Sequence, residues 1–235
     1  MSVRAGQPID RAINATTHSR IRLKDSSEAP ERRPADPSAS KDQPAGTVEG
    51  MTSASLTLLS HECSMMVQVR RAVRDDAEPI GGVHVRAWQV AYRGLMPDEV
   101  LDGLSVEERE KMWQQALAGE ESPAVYVAVD DGGVVGFCAV AAPSRDEDAA
   151  DDVAEIAAIY VDPNAWRVGI GRALMEVALA DLRADGWRWV TLWVLAENHA
   201  ARDFYARFGL KPDGAEMTHE TSREKEVRLR RRVTA

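Results

Sequence analysis

The sequence is poor in cysteine and contains no long apolar run. Its only two cysteines, Cys63 and Cys138, cannot build a disulfide framework, and such sparse use is typical of a reducing compartment. No stretch approaches the roughly 20 apolar residues that a membrane-spanning helix requires. We therefore expect a cytoplasmic protein that neither spans nor binds a membrane.

Aromatic residues are missing from the first 66 positions. The six tryptophans, four tyrosines and three phenylalanines all come later, whereas five of the eleven prolines fall within this segment. A segment of this composition cannot bury enough apolar surface to offset the entropy of the chain. We expect residues 1–66 to be a disordered N-terminal extension and residues 67–235 to form one folded domain.

Basic residues are outnumbered by acidic ones. The chain has 29 Lys and Arg against 38 Asp and Glu, a formal net charge of -9, and the balanced extension leaves all of that charge on the domain. An acidic domain is a poor ligand for nucleic acid. A small or cationic partner fits this charge better. The acidic run 146–152 fits either a solvated loop or an attraction for such a cation.

Hydrophobic periodicity predicts the element order βααβββαβαββ in the domain. Strands are predicted at 67–73, 124–129, 134–141, 153–161, 189–195, around 214–218 and at 226–233. Helices are predicted at 75–92, 97–118 with a break near Gly103, 169–185 and 198–208. Ser105 and Glu108 have the spacing of a capping box, and residues 130–133 have the composition of a hairpin turn.

A glycine-bearing loop lies between the strand that ends at Val161 and the next helix. Gly169 and Gly171 stand at the helix start, flanked by Arg167 and Arg172. Free N–H groups and the helix dipole attract anions there, and glycine lets phosphate oxygens approach closely. Two glycines alone fit phosphate binding and a plain tight turn equally well.

Two other nucleotide-binding motifs do not fit this loop. Leu174 occupies the place of the third small residue in a dinucleotide fingerprint, and the strand ends eight residues before Gly169. A Walker A loop needs Gly-Lys-Ser/Thr at the helix start, and that tripeptide is missing there.

Separated segments resemble the GNAT superfamily of acyl-CoA-dependent N-acetyltransferases across residues 67–233. The family's phosphate loop, Gln/Arg-x-x-Gly-x-Gly/Ala, is similar to residues 166–171, and its segment Asn-x-x-Ala-x-x-x-Tyr-x-x-x-Gly-Phe is similar to residues 198–210. Residues 84–97 also look like the start of many bacterial members. Trp166 departs from the family pattern, because Gln or Arg is usual there.

The resemblance implies an α/β fold with a mixed, mostly antiparallel sheet of six to seven strands and about four flanking helices. Strands four and five would be parallel and splayed, and acetyl-CoA would be the co-substrate, without a metal. Its pantetheine arm would pair with the backbone of strand four, and its pyrophosphate would lie on the glycine loop. The implied cofactor-binding residues are Ile159, Tyr160, Val161, Arg167, Val168, Gly169, Ile170, Gly171, Arg172 and Asn198.

The resemblance also implies two catalytic residues, Glu155 and Tyr205. An alkylamine has a pKa near 10.4, so its deprotonation at pH 7 costs roughly 4.6 kcal/mol and needs a base. Glu155 matches the general base of the histone-acetylating branch, although an ordinary strand carboxylate fits as well. Tyr205 matches the family's acid, which protonates the leaving thiolate. The alternatives are a core tyrosine at 205 and a simple helix cap at Asn198.

We therefore expect an N-acetyltransferase that acts on a primary amine of a small molecule, a peptide N-terminus or a lysine. The acetyl group would pass by direct attack in a ternary complex. The alternative is a non-catalytic acyl-CoA-binding regulatory domain, because Trp166 and Trp193 stand where polar residues are expected. His84 and His219 stay outside the predicted site, and the sequence does not distinguish a monomer from a dimer.

Overall fold

A computed structural model describes residues 67–119, 123–219 and 223–233. The expected disordered extension, residues 1–66, lies outside these described residues. The strands are β1 (Gln68–Arg71), β2 (Ala124–Asp130), β3 (Gly133–Ala141), β4 (Val153–Val161), β5 (Trp189–Leu195), β6 (Lys211–Thr218) and β7 (Lys225–Arg232). The helices are α1 (Ala77–Ala91), α2 (Asp98–Asp102), α3 (Val106–Ala116), α4 (Ile170–Ala184) and α5 (His199–Arg207). No helix in the described ranges is both long and apolar enough to cross a membrane.

The seven strands form one sheet in the order β1-β2-β3-β4-β5-β7-β6. Every neighbouring pair is antiparallel except β4 and β5, which run parallel. The mixed sheet with a parallel fourth and fifth strand is confirmed.

Local capping signals set the helix starts. Ser105 precedes α3, and its hydroxyl accepts a hydrogen bond from the Glu108 N–H at 3.3 Å, as the capping-box spacing predicts. Before α1, the Asp76 carboxylate accepts from the Val73 N–H at 2.8 Å and pairs with Arg70 at 2.6 Å. These bonds fix the turn between β1 and α1.

Each face of the sheet carries its own hydrophobic core. One core lies under α4 and includes Leu174 and Met175, neither of which is exposed. The other lies under α1 and α3 and includes Ile80 and Trp113. Alternate residues of the central strands serve the two faces, as the period of two in a strand requires.

A β-bulge at Ala157 interrupts this alternation in β4. Ile156 lies opposite Val140 of β3, whereas Ala158 lies opposite Ala139, so Ala157 is an extra residue. Ile156 consequently packs in the α4 core, while Ala158, two residues later, packs in the α1 core. The bulge re-aims every side chain that follows it in β4.

Strands β4 and β5 separate beyond their first three residue pairs. Pairing runs from Val153 with Trp189 to Glu155 with Thr191 and then stops. Both strands continue, to Val161 and to Leu195, without pairing to each other. The predicted splay is present and opens towards the carboxyl ends of both strands.

Candidate functional site

A cleft of about 730 Å³ occupies the gap between β4 and β5. Its walls include Trp88 of α1 and the following Tyr92 on one side of the sheet and Phe204 and Tyr205 of α5 on the other. Both faces of the sheet therefore contribute to the cleft.

Hydrogen bonding to β3 decides which backbone groups of β4 face the gap. The Asp162 N–H donates to the Val135 carbonyl at 2.8 Å, and residues along an antiparallel strand alternate between bonded and non-bonded positions. Ile159 and Val161 therefore direct their N–H and C=O groups into the gap, as an added strand requires. The Tyr160 backbone, expected to join them, is engaged with β3, so Tyr160 contributes its side chain to the cleft instead.

The loop before α4 presents free N–H groups at the mouth of this gap. Gly169 has φ 94° and Arg167 has φ 65°, both in the left-handed region that arginine rarely adopts. The Ala173 N–H donates to the Gly169 carbonyl at 3.0 Å, and no described residue accepts a hydrogen bond from the N–H groups of 167–172. Outward-turned N–H groups of this kind form an anion-binding concavity.

The packing of the protein leaves room for a small side chain at Gly171. A Cβ built at this position would lie 3.6 Å from the Phe204 ring and 3.7 Å from the Val161 side chain, which is ordinary van der Waals contact. Alanine therefore fits the fold, and the open space beside Gly171 belongs to the cleft. Arg172, which the resemblance implies to be a cofactor-binding residue, forms an ion pair with Glu176 at 2.7 Å. This ion pair partly neutralises the positive charge of Arg172.

Trp166 covers part of the same opening. Its side chain is exposed and lines the cleft, and its indole N–H donates to the Val161 carbonyl at 2.7 Å. This bond engages one of the two β4 carbonyls that face the gap. A ligand that needs the Val161 carbonyl has to share it with Trp166 or displace the indole.

Three phenols converge on the cleft. The Tyr92 and Tyr160 hydroxyls are 3.1 Å apart, and Tyr205 interacts electrostatically with both. Burial, and to a smaller extent Tyr92, raises the pKa of the Tyr205 phenol above its usual value. Tyr205 therefore keeps its proton throughout the neutral range.

Asn198 begins α5 and also lines the cleft. Its side-chain oxygen accepts a hydrogen bond from the Ala201 N–H at 3.1 Å, which is the capping role considered above. The Asn198 side-chain oxygen is thus held by the helix, while the residue as a whole borders the space between β4 and β5.

Comparisons with known proteins identify the family. A model described as the acetyltransferase (GNAT) family matches residues 88–210. The chain is 35% identical to the uncharacterized N-acetyltransferase YuaI of Bacillus subtilis over 135 residues, which are 57% of this chain and 74% of YuaI. The chain belongs to the GNAT family of acetyltransferases.

Other GNAT proteins agree with this assignment. An uncharacterized N-acetyltransferase of Archaeoglobus fulgidus is 32% identical over 146 residues, 62% of this chain and 93% of that protein. The fold is similar to that of the PaiA N-acetyltransferase from Thermoplasma acidophilum, which was solved in complex with coenzyme A. The TM-score is 0.59 at 18% identity, with 72% of this chain and 99% of that chain covered. The present GNAT protein is an acetyl-CoA-dependent acyltransferase.

Glu155, the base implied by the resemblance, lies where the gap of this GNAT enzyme closes. It is buried and borders the cleft, but Arg145 holds both of its oxygens. The Arg145 guanidinium donates to Oε1 at 2.8 Å, and the Arg145 N–H donates to Oε2 at 3.3 Å. Each oxygen keeps a free lone pair, but a proton accepted by Glu155 would cost this carboxylate its ion pair with Arg145.

The acidic run near Glu155 is partly paired within the protein. Arg228 of β7 pairs with Asp148 at 2.6 Å, with Asp213 at 2.8 Å and with Asp146 at 3.2 Å, so one positive charge is shared by three carboxylates. The Trp193 indole N–H donates to Asp146 at 3.0 Å. Three of the five carboxylates of the run are exposed, which fits both a solvated loop and an attraction for a cation.

The two histidines left out of the predicted site have different places. His84 is fully buried, stacks on Tyr160 at 5.4 Å and accepts the Trp113 indole N–H at 3.3 Å. Burial, and then Arg109, lowers its pKa well below the usual value, so the ring is a neutral core group. His219 is also buried, but it lines the cleft.

Sequence reasoning missed Glu226. This residue of β7 is only 6% exposed and borders the cleft together with His219 and Met217. Its neighbours in the sequence include four arginines between residues 228 and 232, so the segment reads as a strand with a basic face. Only the pairing of β7 with β5 brings the carboxylate to the cleft, and sequence alternation carries no signal for that pairing.

Proposed function

We propose that this GNAT enzyme transfers the acetyl group of acetyl-CoA to a primary amine of a small molecule, a peptide N-terminus or a lysine. The transfer would be a direct attack within a ternary complex. The unpaired stretch of β4 and β5 beside the open N–H groups of 167–172 carries this proposal. It offers an edge for an extended arm and a cradle for a diphosphate at adjoining positions.

Different segments of this chain would bind different parts of acetyl-CoA. The N–H groups of 167–172 and the Arg167 side chain would hold the diphosphate, and the backbones of Ile159 and Val161 would hold the pantetheine arm. Asn198 would border that arm from the start of α5. When bound, acetyl-CoA supplies an activated carbonyl and a thiolate leaving group.

Tyr205 would donate its proton or a hydrogen bond to the leaving sulfur. Its raised pKa keeps the phenol protonated, and the residue lines the cleft. Two buried carboxylates, Glu155 and Glu226, border the cleft and could take up a proton from the amine. For Glu155 this would cost the ion pair with Arg145.

The cofactor site is tested by Gly171→Asp, because the family pattern accepts alanine at this position and a methyl group is too small a change. Because the fold accepts a Cβ at this position and a carboxylate suits a helix N-terminus, the variant should remain as stable as the wild type. The added carboxylate repels the diphosphate, so calorimetry should show acetyl-CoA binding weakened at least about tenfold, which is about 1.4 kcal/mol. Unchanged affinity in a folded variant would remove the loop from the cofactor site.

Catalysis is tested separately from binding. Thiol release from acetyl-CoA should depend on an added amine when the enzyme is assayed over a panel of polyamines, aminoglycosides, amino acids and peptides. Tight acetyl-CoA binding without amine-dependent thiol release would favour the alternative, a regulatory acyl-CoA-binding domain.

A further inference from the structure

Arg145, at the wall of the cleft, has more hydrogen-bond donors than the protein engages. Its guanidinium donates from Nη2 to Oε1 of Glu155 at 2.8 Å, whereas its Nε and Nη1 are buried and have no acceptor among the described residues. No other described residue has two buried side-chain nitrogens without an acceptor. Buried N–H groups are nearly always hydrogen-bonded, so two exceptions on one side chain require an explanation.

Arg145 and Glu155 lie at the end of the cleft towards which the arm of acetyl-CoA would point. Glu155 is opposite Thr191, where β4 and β5 are still paired, and the loop 167–172 lies beyond the other end of β4. An arm that runs from this loop along Val161 and Ile159 carries its thioester towards Glu155. The two side chains therefore border the space that the acceptor amine has to enter.

The charges at this end of the cleft form one covered ion pair. The side chains of Arg145 and Glu155 are 20% and 9% exposed. The neighbouring carboxylate of Asp146 is engaged by Arg228 at 3.2 Å and by the Trp193 indole at 3.0 Å. A buried charge needs an opposite charge, so a ligand with a single charge would take one partner and leave the other alone. A ligand that carries both charges serves both partners.

We propose that the pair of Arg145 and Glu155 binds an amino acid as the acceptor, with its carboxylate on Arg145 and its ammonium group on Glu155. The inference rests on the proposed function and narrows the acceptor to amines that carry a carboxylate close by. Because Nε and Nη1 are covered, the guanidinium turns to present them, and its planar fork suits the two oxygens of a carboxylate. The amine is then held against a carboxylate that could take up its proton.

The test is calorimetric binding to the full chain saturated with coenzyme A. The probes are matched sets, each a standard amino acid with its amide and its decarboxylated amine. In the set that binds most tightly, the amino acid should bind at least about tenfold more tightly than the other two members, because hydrogen bonds to a charged group are lost without the carboxylate. The proposal is overturned if the amides or the amines bind as well as the amino acids, or if no amino acid binds.

A pair of variants then locates the carboxylate. Arg145→Lys keeps the positive charge beside Glu155 and should fold, but it lacks the planar fork, so amino-acid affinity should fall about tenfold while amide affinity changes little. Arg207→Lys is the matched control, because Arg207 is exposed and lines the cleft from α5. It should leave both affinities unchanged. A merely structural role of Arg145 would weaken amino acid and amide alike, and that result would contradict the assignment.

A separate measurement distinguishes this inference from the proposed function. Thiol release from acetyl-CoA is measured with each member of the matched sets. If acetyl-CoA does not bind, or if no amine of any kind promotes thiol release, the proposed function fails. If amines without a carboxylate promote thiol release as well as amino acids do, the proposed function stands and only the role of Arg145 fails.

Discussion

Tyr205 differs from an ordinary helix tyrosine because its phenol interacts with Tyr92, which follows a helix on the other face of the sheet. Burial raises its pKa, and the neighbouring Tyr92 adds to this effect. A raised pKa favours the protonated form, so the phenol keeps its proton at every pH below its usual value of about 10. Because a raised pKa also makes the phenol a weaker acid, the group is suited above all to donate a hydrogen bond to a newly formed thiolate.

Replacement of this phenol provides the prediction at the residue scale. Tyr205→Phe should lower turnover about 10²-fold or more, because general acid catalysis contributes about that factor, with little change in acetyl-CoA affinity. Steady-state thiol release with a competent amine measures the effect. Tyr126→Phe is the control, since Tyr126 is also buried and bonds Asp181 at 2.7 Å in the α4 core. Equal turnover of Tyr205→Phe and wild type would remove Tyr205 from the chemistry.

Single residues were only partly predictable from the sequence. The spacing of Asn198 and Tyr205 placed both at the cleft, because one helix face carries them. The sequence could not show that Arg145 holds Glu155, since their contact depends on how the loop after β3 folds back. Glu226 was not predicted for a similar reason, because its environment comes from strands and helices that are distant in sequence.

The packing of α1 against α3 is the feature that matters at the scale of elements. Gly81 faces the backbone of α3, and a Cβ there would lie 2.9 Å from the Glu110 nitrogen. Gly82, the next residue, would meet only the end of the Arg86 side chain at 2.9 Å. The close approach of the two helices therefore requires glycine at position 81, whereas alanine fits at position 82 if the Arg86 side chain shifts.

A matched pair of variants tests this helix contact. Gly81→Ala should lower the free energy of unfolding by about 1–3 kcal/mol, because the α3 backbone must move to admit the methyl group. Gly82→Ala should be neutral or stabilising by up to about 1 kcal/mol, because alanine favours the helix and a flexible side chain can shift. Urea unfolding of both variants measures the difference. If Gly81→Ala is as stable as Gly82→Ala, the two helices do not pack this closely.

Most elements were predictable because their periodicity is strong. The bounds of β4 and β5 agree with those predicted, since both strands are short apolar runs with clear ends. The start of strand β6 was not predictable. The strand begins at Lys211 rather than near Gly214, and the sequence does not indicate this because Lys211–Gly214 lacks apolar alternation. Its pairing with β7 is irregular in the same place. The β-bulge at Ala157 could not be predicted from the sequence either, because no residue type in Ile156–Ala158 requires a bulge.

The whole molecule is divided by the cleft and held together around it. Beyond Glu155 no strand pairing joins β4 to β5 in the described sheet, so side-chain contacts connect its two parts there. One such connection is the pairing of Arg228 of β7 with Asp146 and Asp148, which precede β4. A ligand that pairs with β4 inside the gap would add contacts to both parts.

Ligand binding should therefore stabilise the entire domain. Acetyl-CoA at 100 times its dissociation constant adds about 2.7 kcal/mol by mass action. For a domain of this size we expect the Tm to rise by roughly 5–10 °C. Thermal unfolding with and without ligand measures it. Tyr205→Phe should keep the rise, and Gly171→Asp should lose about half of it or more at the same ligand concentration. A rise that is the same in Gly171→Asp would show that the stabilising ligand binds elsewhere.

The strand order β5-β7-β6 means that the last described strand to leave the ribosome is inserted between two strands made before it. A nascent chain that has not yet produced β7 already holds the loop that follows β4 and the whole of α5. It lacks the carboxylate at the far edge of the cleft and the partner that joins β5 to β6. A chain stopped at that stage would have the β4 wall of the cleft and would lack the wall that β7 provides.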